Sequence, residues 1–121
     1  MLIAKGHFEG QGGHEMRGSF RIEEDTDGKI WFTTSDDFFF DGSPAPGFAV
    51  SASGDLTAAE AAATDFLRLS GTGSGTGAQL EVHGAQRAEI PATAGIKIAK
   101  AVFLWCYIFP SVLGVGEIEH V

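Results

Sequence analysis

Apolar and polar residues alternate with a period of two through much of this chain, the spacing that turns one face of a strand to a core and the other to water. In Gly18 to Glu23, Phe20 and Ile22 alternate with Ser19, Arg21 and Glu23. Asp25-Thr26-Asp27-Gly28 follows with turn chemistry, so Lys29 to Thr34 is predicted as the return strand of a hairpin. Leu2 to Glu9 sends Leu2, Ala4 and Phe8 one way and Lys5, His7 and Glu9 the other, which places His7 toward solvent. The same rule predicts strands with Phe48, Val50 and Ala52 on one face, with Leu80 and Val82 on one face, and with Ile96 and Ile98 flanking Lys97.

Three stretches depart from the pattern. Thr57-Ala58-Ala59-Glu60 is a capping box before Ala61 to Ala63, which predicts a helix of about two turns near residues 57–64, followed by a strand over Phe66 to Leu69. Gly71 to Gly77 contains no apolar residue and is predicted as a flexible loop; it lacks the Lys-Ser/Thr and following helix of a phosphate-binding loop. Phe38-Phe39-Phe40 cannot all face one core, so burial on both sides of the chain is expected, with an exposed recognition surface as the alternative.

The most apolar run extends from Ala101 to Val115. It is shorter than the roughly 18 to 20 apolar residues of a membrane helix, contains Pro110 and is rich in β-preferring aromatics, so no membrane span is expected. Split by face, Val102, Leu104, Cys106 and Ile108 lie on one side and Phe103, Trp105, Tyr107 and Phe109 on the other. With both faces apolar, a central strand covered on both sides is predicted. Short strands separated by turns, with no βαβ alternation, point to an all-β fold over residues 1–121 as a single domain. An antiparallel β-sandwich of about ten strands with at most one short helix is expected, and a partly closed barrel is the alternative.

Composition narrows the function classes. Sixteen acidic against eight basic side chains give a net charge of -8, with the Lys and Arg scattered singly, so nucleic acid is not an expected partner. An acidic surface leaves a basic protein partner open. The N-terminus has no signal-peptide pattern, so a cytoplasmic location is expected, or a periplasmic or extracytoplasmic one if a leader is removed. Glu23, Glu24, Asp25 and Asp27 lack the spacing of a calcium loop and are taken as a solvated turn.

Cys106 is the only cysteine and cannot close an intrachain disulfide. Its aliphatic strand face favours a buried, unreactive thiol. Its mid-strand position does not suit a nucleophilic hydrolase, which needs a His and a carboxylate beside an exposed thiol. His7, His83 and His120 show no metal-ligand spacing with one another or with Cys106.

Gly6-His7-Phe8, Pro46-Gly47-Phe48-Ala49-Val50 and Trp105-Cys106 stand in an order that resembles the DM-thirteen domain, a Skeletor-type domain proposed to act in electron transfer. Gly6-His7-Phe8, His14 and Gly18-Ser19-Phe20-Arg21-Ile22 match its opening; Asp37-Phe38 and Pro46-Gly47-Phe48-Ala49-Val50 match its middle. Its last third is similar to Gly84-Ala85-Gln86, Ile90-Pro91, Ile96 to Ile98, Trp105-Cys106, Phe109 and Gly114. Gly47 stands where the family has Asp, Ala88 where it has Tyr, and Gly71 to Gly77 resembles an insertion.

The resemblance implies a β-sandwich and makes Cys106 a candidate redox thiol or ligand, with His14 and Trp105 as candidate cofactor-binding neighbours and haem or a metal as the implied group. On chemistry alone His14 is a solvated loop residue. Two functions stay open. One is a redox or electron-transfer domain centred on Cys106, served by a protein or small redox partner. The other is a non-catalytic binding or interaction module with Cys106 in the core.

Overall fold

The computed structural model describes residues 1–69 and 81–121; the predicted Gly71–Gly77 loop and the strand position of Leu80 lie outside them. The fold is all-β and antiparallel with one short helix. In chain order the elements are β1 (Leu2–Gly10), β2 (Met16–Arg17), β3 (Ser19–Glu24), β4 (Ile30–Thr34), β5 (Phe39–Phe40), β6 (Pro46–Ser51) and α1 (Ala58–Thr64). There follow β7 (Leu67–Arg68), β8 (Val82–His83), β9 (Arg87–Ile90), two 3-10 turns (Ala92–Ala94 and Ile96–Ile98), β10 (Ala101–Cys106), β11 (Ser111–Glu117) and β12 (Glu119–His120).

The main sheet runs β7-β6-β10-β11-β1-β3-β4-β9, with β12 also paired to β1; β2-β5-β8 form a second, small sheet. β4 and β6 stand five places apart in that order, about 24 Å in a flat sheet. The rings of Phe32 in β4 and Phe48 in β6 nevertheless lie 4.9 Å apart. The sheet therefore curls over on itself into a nearly closed barrel whose facing walls pack as the layers of a sandwich.

Aromatic side chains fill the interior. Phe8 packs against Phe20, Phe38 and Phe48 with centroid separations of 5.0, 5.6 and 5.6 Å, arrangements worth about 0.5–1.5 kcal/mol per pair beyond the area they bury. Phe20 fits only because two neighbouring positions have no side chain. A Cβ on Gly6 or Gly116 would stand 2.4 or 2.6 Å from its ring.

The hairpin and the helix form as predicted. β3 and β4 pair from Phe20↔Thr34 to Glu24↔Ile30, and the Asp25 carboxylate closes the turn by accepting from the backbone N–H of Asp27 and Lys29 and from Trp31 Nε1. The Trp31 hydrogen bond, with those two amides, holds the Asp25 carboxyl below its ordinary range. Its acidic neighbours are dispersed: Glu23 reaches Arg21 at 3.1 Å and Glu24 reaches Lys97 at 3.7 Å. At α1, Thr57 Oγ1 accepts from Glu60 N at 3.2 Å. The capping box is one-sided, because buried Glu60 Oε1 has no partner among the described residues.

Three expectations are corrected. Ile96-Lys97-Ile98 is a 3-10 turn entered from Gly95, whose φ of +69° is left-handed. At three residues per turn, residues i and i+2 do not share a face. Ile96 is buried and Ile98 is 74% exposed. Ala52 does not share the face of Phe48 and Val50, since β6 ends at Ser51, whose hydroxyl donates to Asp55 O at 2.7 Å and starts the loop to α1; Ala52 is exposed. The C-terminal strand stops at Cys106, because Tyr107–Pro110 turns back toward β11, leaving Ile108 58% and Phe109 67% exposed.

Phe38-Phe39-Phe40 is divided between core and surface. Phe38 and Phe40 are fully buried. Phe39 is half-buried in the outer row Arg17↔Phe39↔His83 of the small sheet, with the Arg17 guanidinium 4.4 Å from its ring centre.

Candidate functional site

Every residue of β10 is buried, as expected for a strand covered on both sides. Cys106 lies on the inner face with Val102 and Leu104 and is 2% exposed. Its thiol donates to Pro44 O at 3.2 Å and its sulfur accepts from Phe109 N–H at 3.4 Å. Both hydrogen-bonding directions of the group are thus used inside the protein. Trp105 points the opposite way, into a satellite cluster with Ala49 and Ala61 beneath α1.

His14 occupies the β1–β2 loop. Its Nδ1 lies 2.8 Å from Asp41 Oδ1, and Asp41 Oδ2 accepts from Glu15 N. A carboxylate only accepts, so Nδ1 carries the proton. The imidazole also packs 5.5 Å from the Phe40 ring. His14 and Cys106 are each tied to one segment, at Asp41 and at Pro44, but no hydrogen bond or ion pair joins them among the described residues. The three residues nominated from sequence are therefore placed apart. Cys106 sits in the main core, Trp105 in the satellite core, and His14 in a loop paired with a carboxylate.

Gly47 stands where a side chain has no room. A Cβ there would lie 2.7 Å from Arg68 Cδ and 2.8 Å from Tyr107 Cε2. The space admits the Arg68 guanidinium, 3.3 Å above the Tyr107 ring, while Tyr107 Oη donates to Ala61 O in α1 at 3.2 Å. Burial, with the Asp65 carboxylate nearby, pushes the Tyr107 hydroxyl up to about 12.

A concave surface lies elsewhere. An open groove of about 1290 Å³ crosses the outer face of β1, β11 and β10. Strand register sets its floor and the carboxylates beside it: Glu9 is opposite Val115, Val115 is opposite Phe103, and Glu117 is opposite Ala101. Half-buried Val115 gives the apolar floor, with Phe103 and Ala101 beneath it only 5% and 3% exposed, and Glu9, Glu117 and Glu119 line the groove around it. Lys100 and exposed Ile98 stand at one end, and Ile98 also borders a smaller cleft of about 440 Å³ beside Ile30 and Ile96. Cys106, His14 and Trp105 do not line the groove.

Of the groove residues, sequence reasoning had placed His7 and Glu9 on the outward stripe of β1 and Phe103 on the β10 face opposite Cys106, and had misplaced Ile98. The alternation of Lys5, His7 and Glu9 was the available signal. That β11 lies beside it is long-range pairing that no local pattern encodes.

Fold and groove together define a small all-β module with an external cleft and a sealed thiol. No protein-family model, curated protein or solved structure matches the chain. No helix among the described residues is long and apolar enough to cross a membrane.

Proposed function

We propose that this domain is a non-catalytic binding module whose outer groove receives an extended segment of a partner protein, with Cys106 serving as a core residue. The carrying observation is the groove itself, an apolar floor with carboxylates around it. Its volume of about 1290 Å³ exceeds the roughly 300–1,000 Å³ of small-molecule pockets, and it is open to solvent, which suits a chain segment better than a compact ligand. The stretch from Gly6 in β1 to Gln11 just beyond its end flanks the groove and spans roughly 17 Å, the length of about five extended residues.

Selection of displayed ten-residue peptides against the wild-type domain tests this reading. Val115→Trp, which fills the floor, is expected to abolish binding of the enriched peptides, whereas Cys106→Ala is expected to leave it intact. Peptide binding indifferent to Val115→Trp would count against the groove. The redox function implied by the DM-thirteen resemblance requires a reachable sulfur. A chromophore or metal found by native mass spectrometry, or alkylation of Cys106 in the folded protein, would favour it over the binding reading.

A further inference from the structure

We infer that the segment held in the groove is cationic, with lysine or arginine side chains reaching Glu9, Glu117 and Glu119 while an apolar side chain rests on Val115. This rests on the groove being the binding surface and names the chemistry of its occupant. The charge pattern supports it. Among the described residues, none of the three groove carboxylates takes part in an ion pair within 4.0 Å, a state they share with Asp27, Asp36 and Glu89 elsewhere; what distinguishes them is that all three line one concave surface. The cations nearby do not cancel them. Lys5 stands opposite Glu119 in the strand register without closing a salt bridge, and Lys97 is drawn 3.7 Å from Glu24. Lys100 remains at the end of the groove beside Ala101. His7 and His120 also line it, with His120 Nε2 engaged by Ala99 O at 2.8 Å.

Strand geometry explains how both parts of such a segment are read at once. Glu9, Val115 and Phe103 form one cross-strand row and Glu117 and Ala101 the next, so carboxylate and apolar floor lie about 5–10 Å apart across the sheet. An extended chain laid along β11 directs alternate side chains to opposite sides. The net charge of -8 on the whole domain adds long-range attraction for a basic partner and opposes a second copy of the chain.

Three labelled ten-residue peptides with equal valine content, carrying lysine, serine or glutamate at alternate positions, serve as probes in fluorescence anisotropy. The lysine peptide is expected to bind, more weakly as salt rises. The combined Glu9→Gln, Glu117→Gln, Glu119→Gln variant is expected to weaken it roughly tenfold. A control variant with the same change of net charge outside the groove, Asp27→Asn, Asp36→Asn, Glu89→Gln, is expected to leave it within about twofold. Thermal melting verifies that both variants are folded. Equal losses in the two variants would show attraction to the domain's overall charge and overturn the inference, as would failure of the lysine peptide to bind. Preference for the glutamate peptide, abolished by Val115→Trp, would overturn the cationic class while sparing the groove. Binding indifferent to Val115→Trp would remove both.

Discussion

Cys106 is held by one hydrogen bond in each direction, to Pro44 O and from Phe109 N–H, and the two contacts pin the segment before β6 to the turn after β10. Cys106→Ala removes a buried sulfur and leaves a carbonyl and an amide without that partner, so a loss of roughly 1–3 kcal/mol is expected in denaturant unfolding. Cys106→Ser keeps a donor and an acceptor and is expected to cost less than the alanine variant. Iodoacetamide should modify the wild-type thiol only in denaturant. At this scale the sequence was informative. The aliphatic neighbours Val102 and Leu104 already placed Cys106 on a core face, and the structure adds its polar partners, Phe109 three residues on and Pro44 sixty-two positions back. His14 was harder to read, because its environment is made by Asp41 and Phe40 across the small sheet.

Elements were legible where their determinants are local. The β3–β4 hairpin follows from alternation on both arms and the carboxylate of Asp25, and α1 begins where Thr57 caps it. Ile96-Lys97-Ile98 was misread because three residues are too few for an apolar-polar-apolar pattern to tell a strand from a 3-10 turn. The deciding feature was left-handed Gly95 after Pro91. The end of β10 was also missed, since apolarity continues through Phe109 after the strand has stopped. Gly47 has a consequence at this scale, because it lets Arg68 of β7 lie over Tyr107 in the β10–β11 turn. Gly47→Asp is expected to displace Arg68 and to lower stability by about 1–3 kcal/mol. Thermal melting of that variant beside Arg68→Ala provides the check.

For the whole molecule, the all-β class and the approximate strand number were written in the turns and the alternation, whereas the curl that brings Phe32 onto Phe48 was not. Closure depends on which strands pair, and the pairings of β1 with β11 and of β6 with β10 join distant parts of the chain. Tyr107 links that barrel to α1, and its raised ionisation gives stability a pH dependence. The native state holds the phenolic proton more tightly than the unfolded chain, so this contribution is complete below pH 10.0 and is lost as pH rises through about 12. Tyr107→Phe is expected to remove that alkaline loss, measured as melting temperature against pH at pH 9 to about 12.

The pairing of Phe8 with Gly116 also sets an order of events during synthesis. At about 5–20 residues per second, β1 waits roughly 5–20 seconds after it is made for β11 to be translated. During that interval one edge of β1 lacks its eventual neighbour and can pair with another nascent chain. Lys5, His7 and Glu9 stand on its outward face, where charged side chains act as gatekeepers against such mispairing. His7 and Glu9, which border the groove in the finished protein, thus guard the strand before the groove exists.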